Sequence, residues 1–136
     1  MSPASTIIPA LLLLALPACA GPAVAPSPTG PIAIAPQTEA ALSAYLRKVK
    51  VTRPGAFAVS PDGLNSFYSW CDDTICGITN YSGPALRGCQ DLAGTPCTVL
   101  YVRHEPRLQY RRSDTTAAGR HGSEEQRRID YDVHGR

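Results

Sequence analysis

A chain of 136 residues, with 13 lysines and arginines against 11 acids and a formal net charge of +2, has room for one modest domain. Its 13 prolines and 11 glycines are thickest over residues 17–36, which keeps that stretch out of any core.

Residues 7–16, IIPALLLLAL, follow a short polar start and match the apolar region of an export signal in length. The start carries no lysine or arginine, only the terminal amine. The run is too short to cross a bilayer, which takes about twenty apolar residues. A signal peptide is therefore expected over residues 1–18. Leu16-Pro17-Ala18-Cys19 resembles the bacterial lipobox, in which a small residue precedes a cysteine. The resemblance implies a lipoprotein whose Cys19 is lipidated and becomes the mature N-terminus, anchored to a membrane of the cell envelope and facing the periplasm. Ala18-Cys19-Ala20 also satisfies the small-x-small rule for ordinary cleavage after Ala20. That second reading gives a secreted or soluble periplasmic protein.

Residues 19–36, CAGPAVAPSPTGPIAIAP, hold no charge and a proline every few positions, the composition of a semi-rigid spacer. An amphipathic helix is predicted over 38–49. Thr38 is its expected cap, Glu39 complements the helix dipole, and Ala41, Leu42, Tyr45, Leu46 and Val49 share one face. Arg47, Lys48 and Lys50 gather where the dipole favours cations.

Arg53-Pro54-Gly55 ends that helix, and residues 56–60 read as a strand. Ser60-Pro61-Asp62-Gly63 is a turn: proline presets one dihedral, Asp bonds its own backbone, and Gly takes a conformation others avoid. Residues 65–71 form a second strand, with Tyr68 and Trp70 on one face and Phe67, Ser69 and Cys71 on the other. The short turn makes the two a hairpin, either covered on both sides or exposing an aromatic patch. A tight polar excursion runs from Cys71 to Cys76. Ser82-Gly83-Pro84 opens a short helix, with Ser82 or Gly83 as cap, on which Leu86 and Cys89 face the same way. Residues 97–102, CTVLYV, make the strongest strand.

The order is helix, strand, strand, helix, strand, which assigns residues 37–104 to a small α+β module. Residues 105–136 carry charges of both signs and few apolar side chains, so they are expected as a mostly disordered tail with a short helix near 124–129.

Setting Cys19 aside leaves Cys71, Cys76, Cys89 and Cys97, at spacings C-x4-C and C-x7-C. Zinc knuckles want C-x-x-C or similar with histidine nearby, and a thioredoxin-like pair wants C-x-x-C at a helix start. Neither fits, whereas an exported chain with an even number of cysteines suits two disulfides. Three pairings are open. Chain entropy gives about 5 kcal/mol for the two local loops and about 6 to 7 for the nested pairing, which does not choose between them.

The series Phe57-Ala58-Val59-Ser60-Pro61-Asp62-Gly63, Tyr68, Ala85-Leu86-x-x-Cys89 and Pro96-Cys97-Thr98-Val99 resembles small exported bacterial domains of unknown function. There a hairpin precedes a helix bearing A-L-x-x-C, and a second cysteine opens the next strand. The likeness spans residues 56–102. It implies a Cys89–Cys97 disulfide and, with it, Cys71–Cys76. It carries no activity to transfer.

Catalysis by a nucleophile needs a positioned base. The histidines, His104, His121 and His134, all fall at or beyond the edge of the expected module. Asp72-Asp73 lacks the companion acids of a calcium loop and reads as a solvated turn. No phosphate-binding glycine loop is present. Arg107-Leu108-Gln109-Tyr110-Arg111-Arg112 has the composition of a nucleic-acid contact, but an exported chain with an acidic module (Asp62, Asp72, Asp73 and Asp91 against Arg87) is not expected to meet one.

The expected function is a non-catalytic envelope lipoprotein, a structural or interaction module held by two disulfides. It needs no cofactor and no metal. Its expected partners are the membrane, through Cys19, and an envelope protein or anionic envelope polymer. The candidate contact surface is Tyr68, Trp70, Asp72, Asp73, Thr74 and Ile75. The alternatives are a small thiol-active or hydrolytic periplasmic enzyme, and an inhibitor-like module presenting the Cys71–Cys76 loop.

Overall fold

A strand of sequence GAFAV alternates small and large side chains, and here all five of its residues are buried. A strand buried on both faces needs a layer packed on each side of its sheet. A computed structural model describes residues 29–49, 53–72, 76 and 80–125 and shows both layers. Its elements are β1 (Ile32–Ile34), α1 (Pro36–Lys48), β2 (Gly55–Val59), β3 (Ser66–Trp70), α2 (Ser82–Ala93), β4 (Thr98–Val102), β5 (Glu105–Pro106), β6 (Tyr110–Arg112) and β7 (His121–Ser123). The fold is mixed α/β, with two helices, two mixed or parallel sets of strands and two disulfides. The signal peptide, Cys19 and the spacer up to residue 28 lie outside the described residues, as does residue 50.

The main sheet has five strands in the order β5-β4-β2-β3-β7. Its pairs are antiparallel except β3 with β7, which runs parallel. On one face, Phe57 and Val59 meet Leu42, Tyr45 and Val49 of the α1 segment, together with Ile32, Ile34 and Leu100. On the other, Ala56, Ala58 and Phe67 meet Ala85 and Cys89 of α2. The small residues of β2 thus face the helix that lies closest. A Cβ at Gly88 would fall 2.3 Å from the ring of Phe67, so only glycine lets α2 and β3 approach this far. Ala58 pairs with Val99 and Phe57 with Tyr101, leaving Leu100 as the extra residue of a β-bulge. The bulge turns Leu100 and Tyr101 both toward the α1 face.

The hairpin from β2 to β3 forms with its predicted mechanism. Gly63 donates to the Ser60 carbonyl at 2.9 Å, and the Leu64 amide donates to Asp62 Oδ1 at 3.0 Å. Gly63 has φ 70°, and a Cβ there would sit 1.8 Å from the Ala33 carbonyl oxygen. Both faces of this hairpin are covered.

Thr38 is not a cap. α1 begins two residues earlier with Pro36 at its first position, where the missing N–H costs nothing. The fully buried Thr38 hydroxyl instead donates to the Gly63 carbonyl at 2.6 Å, tying the helix to the turn. Neither Ser82 nor Gly83 caps α2: its leading amide, Ser82 N–H, is met by Asn80 Oδ1 at 3.0 Å.

The folded module extends past both of its expected ends. The spacer expected over 19–36 runs into β1, whose Ile32 and Ile34 are buried and whose three residues pair in parallel with β6. The apolar i, i+2 pair directly before a helix-starting proline is the signal for this strand. The tail expected from residue 105 carries β5, β6 and β7. Arg112 donates from Nε and Nη2 to both carboxylate oxygens of Glu39, at 2.6 and 2.7 Å, fastening β6 to α1. That guanidinium, as hydrogen-bond donor first and as charge second, holds the Glu39 carboxyl below the usual carboxylate range. Lys48 pairs with Glu125, which brings the last described residues against the same helix. Most of the helix expected near 124–129 lies outside the described residues.

Candidate functional site

Both disulfides are those the resemblance implies. Cys89–Cys97 joins α2 to the entry of β4 with Cα atoms 6.0 Å apart, and Cys89 is wholly buried. Cys71–Cys76 closes the excursion after β3 with Cα atoms 5.7 Å apart. A thiol-active centre needs an accessible sulfur. Cys89 offers none and Cys71 is buried, whereas Cys76 and Cys97 are half-buried; all four sulfurs are held in disulfides.

The contact surface expected around β3 is thinner than the sequence suggests. Tyr68 lies among Tyr45, Phe57 and Trp70, with ring centroids 5.7, 6.2 and 5.4 Å away, so it belongs to the packing under α1. Trp70 is half-buried, with Lys48 Nζ 4.9 Å from its ring centroid. Asp72 is exposed, and its backbone carbonyl accepts from Arg53 at 2.6 Å. Asp73, Thr74 and Ile75 lie outside the described residues.

Two histidines set at or beyond the module's edge are part of the fold. The ring Nε2 of His104 lies 3.1 Å from the Leu46 carbonyl oxygen. His121 heads β7, opposite Ser66, with its Nδ1 hydrogen-bonded to Ser66 Oγ at 2.9 Å. Its Nε2 is buried without a partner among the described residues, and burial pushes its pKa below the ordinary value. A serine beside an imidazole suggests a nucleophile and base. Ser66 has no exposed surface, however, so no substrate reaches it and the pair serves to hold β7 on β3. Among the described residues no group of three or more His, Cys, Asp or Glu is placed to hold a metal ion. No helix among them is long and apolar enough to cross a membrane.

The feature that sequence reasoning missed is a hollow of about 570 Å³ between the start of α2 and the turn from β4 to β5. Its polar wall includes Asn80 and Ser82, its apolar wall Val99 and Val102, and Arg103 and Arg107 both line it, with Glu105 beside them. Arg103 stands in the two-residue turn between the paired Val102 and Glu105 and has φ 53°. Its amide donates to the Gly55 carbonyl at 2.8 Å, and its carbonyl accepts from the buried Tyr45 hydroxyl at 2.8 Å. Burial raises the Tyr45 phenol well above its usual pKa, an effect only partly offset by that bond. Arg103 follows the strand expected over 97–102, and Arg107 falls in the stretch expected as a disordered tail. Only the sheet pairing of β4 with β5 brings them to the same hollow as Asn80.

Geometry and bonding together define a three-layer, disulfide-stapled α/β module with a basic hollow at one end of its sheet. Comparison with protein-family models, with curated proteins and with solved structures finds no match for the chain.

Proposed function

We propose that the chain is an exported, non-catalytic interaction module of the bacterial cell envelope, tethered through a lipid on Cys19 and facing the periplasm. The observation that supports this most is the pair of disulfides, which persist in oxidising compartments and are rare in the cytosol. They use four of the five cysteines and leave Cys19, at the end of an apolar run, for a different chemistry. Residues between Cys19 and β1 then act as a proline-rich tether, on the order of 35 Å long if extended as polyproline. The burial of Ser66 beside His121 favours a binding role over a hydrolytic one.

Mass spectrometry of the intact, non-reduced mature protein tests the proposal. The expected mass corresponds to a chain starting at Cys19 with a lipid modification and two disulfides. A chain starting at Gly21 without lipid would refute the anchor. Two or more free thiols among Cys71, Cys76, Cys89 and Cys97 would refute the oxidising compartment.

A further inference from the structure

The hollow between α2 and the β4–β5 turn has no part in the tether or in the staples, and its chemistry points to a ligand. Arg103 holds a left-handed backbone, φ 53°, that glycine or asparagine adopts more easily. Its side chain is exposed and has no hydrogen bond or ion pair among the described residues. Arg107 is anchored by its own amide, which donates to the Leu100 carbonyl at 2.8 Å. Among the described residues the charge paired with the Arg107 guanidinium is Glu105, at 3.7 Å, longer than a charge-assisted hydrogen bond. Two guanidinium groups therefore rise from fixed backbone beside one loosely held carboxylate, which leaves an excess positive charge at the mouth of the hollow. The helix end adds little, because the Ser82 amide already serves Asn80 and Pro84 has no N–H. The arginines supply the attraction.

We propose that this hollow binds a small organic anion, its carboxylate or phosphate group held between Arg103 and Arg107 and its apolar body against Val99 and Val102. The volume of about 570 Å³ is that of an ordinary small-molecule pocket. Guanidinium forks match both kinds of oxyanion in a bidentate manner. Asn80 and Ser82, which also line the hollow, can bond hydroxyl or amide groups of the body. Glu105 is displaced from Arg107 as the anion enters. The site goes beyond the envelope reading and holds whichever way the chain is anchored.

The test is isothermal titration of the disulfide-bonded mature chain at low ionic strength with two probes, phenyl phosphate and benzoate. They share an apolar body and differ in the anion. One-to-one binding of at least one probe is expected, and the tighter one identifies the group the site prefers. Arg103→Gln and Arg107→Gln should each weaken binding about tenfold, and Glu105→Gln should tighten it about two- to fivefold. Arg111→Gln, on β6 and outside the hollow, should change nothing. Arg103→Asn, suited to the left-handed turn, should bind weakly while melting no lower than the parent, which separates lost recognition from lost folding. No binding of either probe overturns the proposal. So does an Arg111→Gln loss equal to that of Arg103→Gln, which would mark a diffuse basic surface.

Discussion

At the residue scale, single atoms decide how close the layers come. Gly88 is where α2 touches β3, and a methyl group there has no space while Phe67 keeps its place. Gly88→Ala is expected to destabilise the fold by about 1–3 kcal/mol, the range for overpacking. Adding Phe67→Leu should recover part of that loss, because the smaller side chain frees the volume. Thermal melting of the two single variants and the double variant measures it, and strictly additive losses would show that the two side chains do not compete. Tyr45 makes a different contribution. Its ring fills the α1 face, and its hydroxyl satisfies the carbonyl of the left-handed Arg103. Tyr45→Phe keeps the ring and should cost about 1–2 kcal/mol, since the Arg103 carbonyl loses a partner. Urea unfolding reads this as a lower midpoint at unchanged slope. A shift within error would mean that water replaces the hydroxyl.

At the scale of elements, the long ones were legible and the short ones were not. α1, the hairpin of β2 and β3, α2 and β4 each carry their own pattern: apolar spacing, a proline–glycine turn, a run of β-branched residues. β5, β6 and β7 have two or three residues each and no such pattern, and β1 carries only the alternation of Ile32 and Ile34. A strand this short exists because a neighbour offers an edge. β7 is held by backbone pairing to β3, by the Arg120 amide on Asn65 Oδ1 at 2.8 Å, and by His121 on Ser66. The histidine makes this attachment sensitive to acid. Its folded pKa lies below the unfolded value, so the unfolded chain takes up the proton first as the pH falls. Its contribution is complete above the unfolded value near 6.5 and is lost as pH falls through the lower folded value. Stability of the native chain should therefore fall more steeply below pH 6.5 than that of His121→Gln. Denaturation midpoints across that window, with hydrogen exchange of the β7 amides, check it. Parallel pH profiles for the two proteins would assign the acid sensitivity to other groups.

The whole molecule rests on a sheet closed on both faces and on two covalent staples of unequal consequence. Cys89–Cys97 ties α2 to the sheet at a buried position, whereas Cys71–Cys76 closes a short loop beyond the edge of β3. Chain entropy alone gives about 2.5 kcal/mol for the first and about 2 for the second. Removing the first also disturbs the packing of α2. Replacing Cys89 and Cys97 by alanine should thus lower the melting temperature more than replacing Cys71 and Cys76, though loop lengths are similar. Calorimetry of the two double variants decides it, and equal losses would leave entropy as the whole effect.

Of the candidate sites, the cysteines were readable because their even number, their spacing and an export-like N-terminus agree. The hollow was not. Asn80, Val99, Arg103 and Arg107 share no spacing in the chain, and they converge only because β4 turns back into β5 beside the start of α2. Local chemistry was enough to determine the helices, the Ser60–Gly63 turn and the central strand, because each is specified by residues within a few positions of one another. Tertiary structure alone decided where the module begins and ends, what Thr38, Tyr68 and His121 do, and where two arginines meet a hollow. Those outcomes depend on pairing and burial between segments far apart in the chain. No local pattern records them.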